Sequence, residues 1–207
     1  MKKCVIFCAG EFGGLSEPIR DGDAVIAADG GLTHVKALGL RPDVILGDFD
    51  SLGYVPEGAA VFPVEKDDTD CMLAIKQGLE MGCGRFVIYG GMDGARVDHT
   101  MANFQALLYL AERGCRGWLV GRRQIATVIR KERIEFPERC SGTLSVFCLG
   151  GDARGVDISG VHYTLENGTL TAGMPLGVSN KFIGQRAQIS VADGALLLVW
   201  DKTNGLQ

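Results

Sequence analysis

Two acidic clusters carry most of the chemistry open to this 207-residue sequence. The first is Gly47-Asp48-Phe49-Asp50-Ser51, which follows the apolar run of residues 44–46. The second is Lys66-Asp67-Asp68-Thr69-Asp70, at the entry to an expected helix. Carboxylates crowded on loops repel one another unless a cation lies among them, and Mg²⁺ is the usual cation where a substrate brings phosphates. Taken singly, each cluster has an ordinary structural explanation: Asp48, Asp50 and Asp68 suit turns, and Asp67 suits a helix N-cap. Two such clusters in one chain favour the metal. Two glycine turns accompany them. Asp29-Gly30-Gly31 precedes one expected helix, and Gly90-Gly91 through Arg96-Val97-Asp98-His99 precedes another. Glycines before a helix N-terminus leave N–H groups free to face an anion, and Arg96 adds a guanidinium. The bland alternatives are a plain strand-to-helix turn, a solvated arginine and a capping histidine.

Other chemistries lack their residues. The sequence has no phosphate-binding loop ending in Gly-Lys-Ser/Thr and no Gly-x-Ser-x-Gly elbow. His34, His99 and His162 are its only histidines, and none is paired at ligand spacing. What remains is Mg²⁺ held by aspartates, with glycine turns and Arg96 placed for phosphates. That set fits phosphoryl or pyrophosphoryl transfer, in which the protein positions substrates and the metal neutralises developing charge.

The elements that must position these residues follow from hydrophobic pattern. Short apolar runs at residues 4–9, 24–28, 44–46, 60–64, 86–89, 118–120 and 125–129 read as strands. Between them, residues 32–38, 69–81 and 97–113 read as helices, the second with an apolar stripe of Met72, Leu73, Ile75, Leu79 and Met81. Alternation of this kind predicts an α/β domain with a mostly parallel sheet, whose ligands bind beyond the carboxyl ends of the strands. Past residue 131 helical periodicity stops. Short β-type runs recur at 144–149, 161–165, 169–171, 187–191 and 195–200, with Asn167-Gly168 as a hairpin signal. The expected division is an α/β domain over 1–130 and an all-β sandwich or barrel-like domain over 131–207.

An apolar fraction of 46% supports a real core, and a net charge of -4 with no Lys/Arg run argues against a nucleic-acid groove. The apolar stretch at 4–9 is too short for a signal peptide, and no run approaches the roughly 20 residues of a membrane helix. Seven cysteines without Cys-x-x-Cys spacing read as free thiols in a reducing cytoplasm.

In order and spacing, Asp29-Gly30-Gly31, the two acidic clusters and the Gly90 to His99 segment resemble the thiamine pyrophosphokinase family. Gly160-Val161-His162-Tyr163-Thr164-Leu165 and Gly177-Val178-Ser179-Asn180-Lys181-Phe182 look like that family's thiamine-binding β domain, so the resemblance spans nearly the whole chain. It implies transfer of pyrophosphate from ATP to the hydroxyl of thiamine, giving thiamine diphosphate and AMP. It places Asp48, Asp50, Asp67 and Asp70 on Mg²⁺ and the ATP phosphates. Asp29, Gly30, Gly31, Ser51 and Arg96 would lie beside the nucleotide, Ser179 and Asn180 on the aminopyrimidine, and Phe182 near the thiazolium cation. Some relatives use a tryptophan near this last place. Asp70 and Asp98 both remain open as the general base. The resemblance also implies a homodimer with its sites between subunits, which the small β domain would favour.

Two other readings compete. Asp48-x-Asp50 resembles the nucleophile motif of haloacid-dehalogenase-like phosphatases, but there the motif follows the first strand and here the third. A non-catalytic thiamine or nucleotide sensor would have little reason to keep so many mutually repelling carboxylates.

Overall fold

The computed structural model describes residues 1–50, 52–63 and 67–207. They form two compact units, Met1–Ala106 with Leu119–Arg122, and Leu107–Trp118 with Arg123–Gln207.

The first unit is α/β. Its elements in chain order are β1 (Lys2–Phe7), β2 (Ala24–Ala28), α1 (Leu32–Ala37), β3 (Val44–Gly47), β4 (Ala60–Val61), α2 (Asp70–Glu80), β5 (Cys83–Tyr89) and the start of α3 (Val97–Glu112), and it ends with part of β6 (Arg116–Val120). The strands run parallel in the order β5-β1-β2-β3-β4. From Cys4 onward every β1 residue is buried, and so is all of β2. That explains their unbroken apolar runs, since strands in the middle of a parallel sheet are covered on both faces. β3 is half-buried, and β4 is two exposed residues at the sheet margin rather than the expected strand over 60–64; Val64 lies outside the described residues. Short edge strands of this kind present little backbone to another chain.

Helix α2 begins at Asp70 because Thr69 caps it, its hydroxyl accepting from the Met72 N–H at 3.2 Å. The N-cap expected at Asp67 is therefore corrected to Thr69. The buried face is Cys71, Ala74, Ile75 and Gly78, not the predicted stripe, of which only Ile75 is fully covered. Small residues let this helix lie close on the sheet. A Cβ at Gly78 would come within 2.6 Å of the Phe86 ring, so the longer side chains lie to either side.

The second unit is an antiparallel β-sandwich. Its strands are β7 (Gln124–Arg130), β8 (Arg133–Phe136), β9 (Thr143–Cys148), β10 (Ala153–Ser159), β11 (Leu165–Leu170), β12 (Gly177–Lys181), β13 (Ala187–Asp193) and β14 (Ala195–Asp201). One layer runs β12-β9-β14-β7 and the other β11-β10-β13-β8. Strands such as β8 and β13 alternate buried and open positions, as half-buried sandwich strands do. Phe136 packs against Phe182 and Trp200 at ring distances of 5.2 and 5.3 Å, which closes the core.

Three readings of this region are corrected. Residues 125–129 do not continue the strand–helix repeat, because β7 pairs antiparallel with β14 along its whole length. Of the run read as a strand at 161–165 only Leu165 is strand, as the first residue of β11; residues 161–164 form a bend in which Val161 bridges to Phe182. Asn167-Gly168 makes no hairpin turn. It lies inside β11, where Asn167 has φ 45° and the register with β10 shifts, as at a bulge. The chain reverses at Gly160 instead, at φ 70°, where a Cβ would stand 2.0 Å from the Arg186 carbonyl oxygen. All seven cysteines are free thiols. Among the described residues no helix is long and apolar enough to cross a membrane.

Candidate functional site

At the carboxyl ends of the parallel strands of the first unit, several loops surround a cavity of about 500 Å³. Cys8, Ala9 and Gly10 line it after β1, Asp29 after β2 and Asp48 after β3. Asp68, Thr69, Asp70 and Cys71 line it at the start of α2, Gly90, Gly91 and Arg96 between β5 and α3, and His99, Thr100 and Asn103 from the first turns of α3. Residues scattered over nearly a hundred positions thus meet because parallel strands deliver all their exits to one edge.

The acidic groups are held by turns that tertiary packing enforces. Asp29 is buried at φ 49°, and Phe49 is buried at φ 59°. A bulky residue in the left-handed region costs roughly 1–2 kcal/mol. Burying the Phe49 ring offsets that cost and leaves Asp48 and Asp50 on either side of the turn. Gly47 has φ 148°, and a Cβ there would sit 3.0 Å from the backbone of Asp29. Its lack of a side chain lets the two turns touch. One carboxylate oxygen from each of Asp29, Asp48 and Asp50 then falls within 4.8 Å of the others, a cluster of hard oxygens that fits Mg²⁺.

The glycines have reasons of their own. A Cβ at Gly31 would meet the Phe7 carbonyl oxygen at 1.9 Å, and one at Gly90 the Cys8 carbonyl oxygen at 2.3 Å. Gly10 N–H donates to the Gly90 carbonyl at 2.9 Å, which closes the floor between β1 and β5. Close backbone approach therefore explains Gly31 and Gly90, whatever ligand the turns face. The buried amide of Asn103 donates to the Gly91 carbonyl at 2.7 Å and steadies the second turn. Asn103 is a site residue that the sequence motifs do not include; its signal is a polar residue in register with Ala106, Leu107 and Leu110 on the buried face of α3.

In the second cluster the structure brings Asp70 and Asp68 to the cavity, with Asp68 paired to Lys76 at 2.5 Å. The sequence places Asp68 in the second acidic cluster, with a turn as its ordinary alternative, and the family resemblance assigns it no ligand role. Asp67 is exposed and is not among the lining residues. Ser51 and Lys66 lie outside the described residues. Arg96 lines the cavity and gives Asp98 three hydrogen bonds: from Nε at 3.0 and 3.2 Å, and from Nη2 at 2.6 Å. Hydrogen bonding from Arg96 holds the Asp98 carboxyl down at about 2. A carboxylate so held is a poor proton acceptor near neutrality.

The β unit has a second cavity of about 360 Å³, lined by Tyr163, Thr164, Leu165, Leu176, Val178 and Asn180 among others. Asn180 is buried and its amide is engaged. Oδ1 accepts from the Tyr163 and Lys181 N–H groups, both at 2.9 Å, and Nδ2 donates to the Tyr163 carbonyl at 2.7 Å. Ser179 is exposed at φ 59°, and its N–H donates to the Ser145 hydroxyl at 3.0 Å. Phe182 is buried against Phe136, so its ring belongs to the core, whereas Tyr163 is 66% exposed beside the cavity.

Known proteins resemble this chain over nearly its whole length. A family model described as "Thiamin pyrophosphokinase, catalytic domain" matches residues 16–119, and one described as "Thiamin pyrophosphokinase, vitamin B1 binding domain" matches residues 131–196. The thiamine pyrophosphokinase of Bacillus subtilis is 27% identical over 183 residues, which cover 84% of this chain and 85% of that protein. A crystal structure of the B. subtilis protein superposes with a TM-score of 0.85 at 22% identity, covering 97% of this chain and 99% of that one. The yeast thiamin pyrophosphokinase structure gives 0.73 at 15% identity, over 99% and 88%; at these identities the two structures speak for the fold. The first family model alone takes in half of the chain and the second follows it in order, so the chain belongs to the thiamin pyrophosphokinase family.

Proposed function

We propose that this chain transfers the terminal pyrophosphoryl group of ATP to the hydroxyl of thiamine, with the chemistry in the acidic cavity of its first unit. One observation carries the placement: Asp29, Asp48, Asp70 and Arg96, far apart in sequence, line a single cavity beyond the ends of parallel strands. The ATP phosphates lie there, with Arg96 as their guanidinium partner. Asp48 and Asp50, with Asp29 beside them and Asp70 also lining the cavity, are the residues that would hold Mg²⁺. When bound, the ion would neutralise charge on the transferring phosphates. The thiamine hydroxyl attacks the β-phosphorus, the bond between the α and β phosphates breaks, and AMP leaves. Asp70 and Asp98 are the carboxylates that can take the hydroxyl proton. Asp98 can do so only once Arg96 no longer holds it.

Thiamine is taken by the β unit, in the neighbourhood of Ser179 and Asn180. There Asn180 acts through the Tyr163 backbone that it braces, and Tyr163 rather than Phe182 offers a ring to the thiazolium. The functional division into a nucleotide domain over 1–130 and a thiamine domain over 131–207 is part of the same reading. So is a cytoplasmic homodimer in which the acidic cavity of one copy meets the β unit of the other.

Incubation with ATP, Mg²⁺ and thiamine tests the reaction. Thiamine diphosphate and AMP in equal amounts are expected. Thiamine monophosphate with stoichiometric ADP would contradict attack at the β-phosphorus, and free phosphate without a thiamine ester would favour a phosphatase.

A further inference from the structure

Arg96 and Asp98 are two residues apart at the start of α3, and both side chains are about two-thirds exposed. Exposed ion pairs seldom hold one geometry, yet here Nε and Nη2 of one guanidinium edge both engage the carboxylate. That edge, with its parallel N–H donors, is one that a guanidinium turns to a phosphate in bidentate recognition. Arg96 lines the cavity, and Asp98 does not. Asp98 also lies in the first turn of α3, where the helix dipole favours its negative charge.

We propose that Asp98 is a latch on Arg96, an internal anion that competes with the polyphosphate of the nucleotide for the same guanidinium edge. This rests on the reading of Arg96 as a phosphate ligand. Nucleotide binding must break the clasp, so part of the Arg96–phosphate interaction is spent displacing Asp98. The enzyme binds ATP more weakly than its residues allow, and the carboxylate is released only when polyphosphate has taken the arginine. Asp98 is a positioning residue in this account, since it acts on the nucleotide through Arg96.

The test is a binding cycle by calorimetry on the full chain without thiamine, so that no turnover occurs. ATP with Mg²⁺ and inorganic tripolyphosphate are titrated into wild type, Asp98→Asn, Arg96→Gln and the double variant, with circular dichroism to confirm folding. Asp98→Asn is expected to bind both anions more tightly, by about 1.5- to fivefold, the range of exposed ion pairs. Arg96→Gln is expected to bind them at least about fivefold more weakly, as loss of a charge-assisted hydrogen bond requires. The double variant should match Arg96→Gln, because without the arginine there is nothing to latch. If Arg96→Gln weakens binding but Asp98→Asn leaves it unchanged or weaker, the latch is wrong and the phosphate role stands. If Asp98→Asn tightens binding equally in both backgrounds, Asp98 repels phosphate directly and the latch is again wrong. If Arg96→Gln binds normally, the phosphate role fails and the latch with it.

Discussion

Replacing Asn180 by alanine separates bracing from ligand contact. Its amide makes three hydrogen bonds, two to the backbone of Tyr163 and one to the N–H of Lys181. The substitution orphans all three backbone groups. A buried orphan costs about 1–3 kcal/mol, but Tyr163 is itself exposed, so water can reach part of what is left. About 2 kcal/mol of lost stability is therefore expected, much less than three full penalties. The turn at 160–164 should loosen, and the thiamine KM should rise several-fold while the ATP KM stays within a factor of two. Asn180→Asp keeps the two acceptor contacts, loses the donor to the Tyr163 carbonyl, and should fall between the two proteins in stability. Urea titration with both KM values measures all of this. A purely ligand-binding asparagine would raise the thiamine KM and leave the urea midpoint unmoved; that outcome would refute bracing through Tyr163. A fall in stability with neither KM changed would remove Asn180 from the thiamine site.

Three further outcomes are expected. Asp48→Asn, Asp50→Asn and Asp70→Asn should each fold and lose about 10²–10³ in kcat, the usual cost of one strong electrostatic contact; near-normal turnover of all three at saturating Mg²⁺ would remove the metal assignment. Lys3 is buried between Glu17 at 3.1 Å and Asp23 at 2.8 Å, and Arg85 clasps Glu17 from the other side. Burial pushes both carboxyls up, but hydrogen bonds and charge, from Arg85 and Lys3 at Glu17 and chiefly from Lys3 at Asp23, outweigh it and leave both below the usual range. Depressed folded values give stability that is present in full above about pH 5 and lost as pH falls below about 4. Lys3→Met should cost about 3 kcal/mol at pH 7, the lower end for a broken buried pair since Arg85 remains, and the deficit should shrink toward pH 3 in urea titrations; a deficit independent of pH would contradict the linkage. Finally, inactive Asp70→Asn protein and Asn180→Ala protein, mixed under conditions that exchange subunits and assayed at thiamine well below the raised KM of Asn180→Ala, should give clearly more activity than the two unmixed proteins together if each site draws on two chains, and confirmed exchange without that gain would place each site within one chain.

Much of the first unit was legible because its signals are local or periodic. β2 at Ala24–Ala28 matches the apolar run read there, and α1 at Leu32–Ala37 matches to within a residue. The β unit was harder. β8 and β10 mix polar with apolar residues as half-buried strands do, and β12 buries only the polar Asn180, so none of the three shows an apolar run. Asn167-Gly168 misled because a residue pair that suits a two-residue turn also suits a bulge, and only the pairing with β10 distinguishes them.

By itself, the sequence determined the residue types: aspartates at positions 29, 48, 50 and 70, an arginine at 96, and alternating patterns that demand a parallel sheet followed by β structure. Tertiary structure decided which of them meet. That Asp68 lines the cavity and Asp67 does not follows from where Thr69 starts α2. That Phe182 lies in the core and Tyr163 outside it follows from the packing of Phe136 and Trp200. Neither outcome is local. A side chain's direction is set by the register and burial of partners distant in sequence, and the spacing of residues along one strand or helix carries no record of them.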